Sequence, residues 1–116
     1  MPITFKTLAD PQYLSTSAGV LVTNTSGIKT YVKTIILFNN HTSAITVDIH
    51  KVPNSGGSVG TASNANKIFS FSLQPSETKL FEFGGQGMML TSTNDTIQGK
   101  ASTANQVVIC IEGGTE

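Results

Sequence analysis

The chain has no arginine and no tryptophan, a single cysteine and two histidines, and its apolar runs are only a few residues long. Each shortage removes a class of function. Seven lysines stand singly at positions 6, 29, 33, 51, 67, 79 and 100 and are balanced by seven acids, giving a formal net charge of zero. A nucleic-acid binder needs a basic stripe, because neutralising phosphates supplies most of its affinity, and none is present. Cys110 has no partner for an intrachain disulfide. Runs such as residues 35–38 fall far short of the roughly 20 apolar residues of a membrane helix. The opening Met1-Pro2-Ile3-Thr4-Phe5-Lys6 carries no apolar signal core, so synthesis in the cytoplasm is expected.

The chemistry of catalysis is equally sparse. A metal centre draws three or four ligands together, and the two histidines are His41, in a polar turn, and His50, beside Asp48 on the polar side of an alternating segment. No metal or cofactor is expected. There is no Gly-x-Ser-x-Gly elbow, and Cys110 lies inside an alternating run with no turn to expose it. Gly56-Gly57-Ser58-Val59-Gly60 and Gly84-Gly85-Gln86-Gly87 neither open a helix nor carry the lysine of a phosphate loop, so both read as turns. The seven acids are too scattered to form a local acid/base pair. Asn24, Asn40 and Asn94 head Asn-x-Ser/Thr triplets, which a chain this rich in Ser and Thr contains by chance. An enzyme is not expected.

What is abundant is Thr, Ser and Asn, at 36 of 116 positions, a bias toward strands and turns. Apolar residues recur at every second position, the spacing that puts them on one face of a strand. Ile45, Val47 and Ile49 alternate with Thr46, Asp48 and His50, and residues 39–43 separate them from the run at 31–38, which reads as a hairpin. Phe69, Phe71 and Leu73 stop at Gln74-Pro75-Ser76-Glu77, a proline turn leading into residues 78–83 and a second hairpin. Residues 88–90 and 96–102 follow. In the last segment, 106–112, Val107, Ile109 and Ile111 face one way and Val108 and Cys110 the other, so both faces of that strand are expected to be partly covered. Toward the start, residues 3–8 and 19–25 read as strands, with Asp10-Pro11 as a turn. The expectation is a single all-β domain over residues 1–116, an antiparallel β-sandwich or jelly-roll-like fold of about eight strands. One core is the ceiling for this length, burying roughly 65% of the unfolded surface.

Two segments stand out from this pattern. Residues 53–66 are Gly, Ser, Asn and Ala with almost no apolar content, a loop longer than the roughly 12 residues beyond which loops are uncommon in compact domains. It reads either as a surface loop or as an arm that orders against a neighbouring subunit. Residues 1–27 pose the same choice between an N-terminal arm and edge strands. Ile3, Phe5, Asn54, Ser55, Gly56, Gly57 and Ser58 are therefore the candidate partner-contact residues.

The segment from Val32 to Val52-Pro53, with its Asn39-Asn40 turn, resembles small β-sandwich virion proteins of tailed bacteriophages. So does the order Leu73-Gln74-Pro75-Ser76-Glu77-Thr78, Gly84-Gly85, Met89-Leu90, Asn94-Asp95-Thr96-Ile97. The resemblance covers residues 28–112 and implies no catalytic residues. It implies a place in the virion, as a capsid decoration or cement protein, a neck or tail adaptor, or a fibre-base module. Its partners would be the major capsid protein or neck and tail proteins, and it would act as a homo-oligomer, with a trimer favoured. A glycan- or receptor-binding sandwich is the alternative, with only Tyr13 and Tyr31 to stack on sugars.

Overall fold

A computed structural model describes residues 2–116. Nine strands form two antiparallel sheets: β1 (Thr4–Tyr13), β2 (Gly19–Thr23), β3 (Thr30–Asn39), β4 (Ile45–Val52), β5 (Lys67–Leu73), β6 (Thr78–Glu82), β7 (Met88–Leu90), β8 (Thr96–Ala101) and β9 (Val107–Thr115). The first sheet runs β1-β9-β3-β6, with β7 beside the other end of β3, and the second runs β2-β8-β4-β5. β6 and β7 flank the same strand end to end. They act as one strand broken at residues 83–87, where Gly85 and Gly87 take positive φ. The pairs β1/β9, β2/β8, β3/β6-β7 and β4/β5 are nested, which is one long hairpin rolled into a two-sheet jelly roll.

The core follows from the two-residue period. Ile35, Leu37, Val107, Ile109 and Ile111 of the first sheet meet Ile45, Val47, Ile49 and Ile97 of the second, closed by Leu14, Leu73 and Leu90. Alternation of this kind is clearest in β4 over residues 45–49 and in β9 over residues 107–111, where the apolar side chains that share a parity face the core.

Period does not fix the neighbour, and the two expected hairpins are not formed. β3 and β4 lie in different sheets, as do β5 and β6. Residues 39–43 and 74–77 are crossings between layers about 10 Å apart. Asn39, fully buried, pins both crossings. Its Nδ2 donates to the carbonyls of Ser43 (3.0 Å), Leu73 (3.1 Å) and Gln74 (3.2 Å), and its Oδ1 accepts the His41 N–H at 2.8 Å. Asn24 does the same at the far end of β3. Its Nδ2 donates to Ile28 O and Ser92 O, and its Oδ1 accepts the Thr30 hydroxyl at 2.7 Å.

Asp10-Pro11 is not a turn. β1 continues through it, with register shifts on either side of Ala9. An edge strand accommodates Pro at such an irregularity because the missing N–H faces no partner.

Candidate functional site

Residues 53–66 are lashed to the body of their own chain. Gly56 and Gly57, at φ 58° and 87°, make the two-residue tip of a small hairpin closed by reciprocal Ser55 and Ser58 hydrogen bonds. Positive φ at both central positions is what a type I′ turn demands. Asn54 donates from its backbone N–H (2.9 Å) and its side chain (3.1 Å) to Asp95 Oδ1, and Asn94 Nδ2 donates to Gly57 O. Burial raises the Asp95 pKa, but hydrogen bonds from Asn54, Ser92 and Thr91 outweigh it and hold the carboxyl below its ordinary value.

The rest of the loop covers one end of the second sheet's outer face. Gln98 Nε2 donates to Gly60 O there. His50, expected on a solvated face, is only 2% exposed. Its Nδ1 lies 3.1 Å from Ser63 O and 3.0 Å from Asn66 Oδ1. Asn66 Oδ1 already accepts the Ser63 N–H, so both neighbours of Nδ1 are acceptors and the ring proton sits on Nδ1. Asp48 shares the strand face but is engaged elsewhere, accepting the Ser70 hydroxyl at 2.7 Å and facing Lys67 at 3.7 Å. Among the described residues no group of three His, Cys, Asp or Glu converges.

Of the contact candidates, Phe5 is 72% exposed, Ile3 and Asn54 are half-buried, and Ser55, Gly56, Gly57 and Ser58 are exposed. β1 pairs with β9 of its own chain, Thr4 opposite Thr115, and Thr115 in turn lies opposite Thr30. The loop tip reaches the same end of the sandwich through Asp95, whose backbone oxygen accepts the Asn24 N–H. The fold thus gathers both candidate sets at the pole where β3 begins.

The sequence pattern did not single out the larger apolar surface, on the outer face of the first sheet. Register places Tyr13, Val108 and Phe38 in one row across β1, β9 and β3. Cys110, Ile36 and Leu80 form the next row across β9, β3 and β6. Leu80 is 51% and Tyr13 55% exposed, and the other four, half-buried, stand outside the core cluster. The signal was the apolar residue at both parities in 35–38 and 107–111. The adjoining row holds Glu82, Thr34 and Glu112. Desolvation, then Glu112 and Asp10, raise the Cys110 thiol pKa, so it stays protonated at neutral pH.

The chain matches no family model and no curated protein sequence.

Proposed function

We propose that the chain is a non-enzymatic structural subunit of a tailed-phage virion, a capsid decoration or cement protein that stabilises the head through protein contacts. The observation that carries this reading is the two-row apolar strip on the outer face of the first sheet, bordered by Glu82 and Glu112. Outer faces of antiparallel sheets are ordinarily polar. Lys6 and Lys33 lie beside Glu112, and an apolar centre with a border of both charges suits a capsid-protein surface that is apolar in the middle and charged at its margin. The nested strand order adds support, since jelly rolls recur in viral capsid domains, although a fold alone does not define function. The resemblance over residues 28–112 points the same way. Neck, tail and fibre-base positions use the same contact chemistry.

The test is co-sedimentation of the purified subunit with virion particles that lack it. Tyr13→Glu with Leu80→Glu, both at exposed positions, is expected to weaken retention at least tenfold while leaving the unfolding midpoint unchanged. Alkylation of Cys110 is expected to slow in the bound subunit. Unaltered retention of the double variant, with Cys110 equally reactive free and bound, overturns the reading.

A further inference from the structure

The jelly roll leaves four sheet edges, and three carry devices that block strand addition. β1 contains Asp10, Pro11 and two register shifts. β2 is five residues long and irregular between Val20 and Val22. β6 is five residues long with Lys79 and Glu82, and β7 beyond it has three residues. β5 is different. Residues 68–73 read Ile-Phe-Ser-Phe-Ser-Leu, with no charge, proline or glycine, and β5 pairs only with β4. Its one register shift against β4, between Ile49 and His50, lies at the start of the strand beside Lys67 and leaves residues 69–73 in regular pairing, and an uncharged edge of this composition is a template for another strand.

We infer that the free edge of β5 pairs antiparallel with β5 of a second copy of this chain, fusing two four-stranded sheets into one of eight. Charge selects this occupant and this direction. Lys67 opens the strand, and Glu77, whose carboxylate accepts the Gln74 N–H at 2.7 Å, sits just past its end. A two-fold axis through Ser70 sets Phe69 opposite Phe71 and Ile68 opposite Ser72, and brings Lys67 of each copy, which faces its own Asp48 at 3.7 Å, toward Glu77 of the other. Parallel addition sets lysine beside lysine. A net charge of zero adds no long-range repulsion between copies.

The mouth of the sandwich beside this edge is sealed by half-buried aromatics. Phe69 stacks on Phe81 at 4.7 Å between ring centres, Phe71 meets Phe81 at 5.1 Å, and Phe83 lies 6.0 Å from Phe69. In the symmetric register Phe69 of one copy faces Phe71 of the other on the core side, giving two cross-strand aromatic pairs. On the outer side Ile68, 40% exposed, faces Ser72. The interface is isologous and closes at two copies. The pairing calls for a dimer, where the resemblance implies a trimer.

The pairing rests on the reading of the chain as a contact-driven assembly subunit, and its test is independent of capsid binding. Light scattering on the full chain is expected to give twice the 12.2 kDa subunit mass. Ile68→Lys with Ser72→Lys puts like charges across the axis and is expected to raise the dimer Kd at least about tenfold, or ~1.4 kcal/mol. The matching Glu pair does the same, and mixing the Lys and Glu variants restores the dimer. Ser72→Lys alone serves if the double variant fails to fold. A monomer at about 100 µM, a trimer, or a dimer indifferent to these charges overturns the pairing. Co-sedimentation with particles that persists in any of those cases leaves the assembly reading standing.

Discussion

Asn39→Ala probes the crossing lock most directly. The side-chain amide supplies two N–H donors, shared among the carbonyls of Ser43, Leu73 and Gln74, and one acceptor for the His41 N–H. Alanine removes all of these inside a fully buried site. At about 1 kcal/mol net per hydrogen bond, and more where a buried group is left without a partner, the loss is about 3–5 kcal/mol. Domains of this size are stable by about 5–15 kcal/mol, so a large share of the total is at stake. The melting temperature should fall by at least about 12 °C, at about 4 °C or more per kcal/mol. Urea unfolding followed by circular dichroism measures the loss, with Asn40→Ala as the reference. Asn40 is exposed and its backbone N–H donates to Gln106 O, a bond that alanine retains. That control should lie within about 0.5 kcal/mol of the parent. An Asn39→Ala loss within 1 kcal/mol of the control refutes the argument that this one amide holds two crossings together.

Two further outcomes follow from the same geometry. The folded Asp95 carboxyl titrates below its unfolded value, so its contribution is complete above about pH 4 and disappears as pH falls through the lowered folded value. Asp95→Asn should flatten the acid side of the stability curve and speed proteolysis within residues 53–66, and an unchanged pH profile contradicts this. Gly113→Ala should be strongly destabilising because the new Cβ runs into the backbone oxygen of Tyr31, whereas Gly84→Ala, with nothing within 4 Å, should be near neutral. Equal unfolding midpoints for the two count against the close approach of β3 and β9.

The sequence exposes the strands and their faces because side-chain alternation is a local property. Ile45, Val47 and Ile49 need only their own spacing to mark the core side. Partner choice is different, since a five-residue link such as 39–43 serves equally as a hairpin loop or as a step between layers. What decides is Asn39 reaching Leu73 and Gln74, more than 30 positions away, and no window of sequence shows that. His50 illustrates the same limit. Its position in the alternation is right, yet a loop folded back from residues 53–66 makes the outer face an interior. The β5 edge was readable in part, because Ile-Phe-Ser-Phe-Ser-Leu lacks protective residues. Its location on the rim became visible only with the topology.

The nesting of the strands reaches beyond assembly. Thr4 stands opposite Thr115 on adjacent strands, while the Gly56-Gly57 turn sits at the tip of the rolled hairpin. A circular permutant that joins those strands with a short linker and opens the chain between Gly56 and Gly57 keeps every strand pair of the two sheets and gives up only the small Ser55–Ser58 bridge.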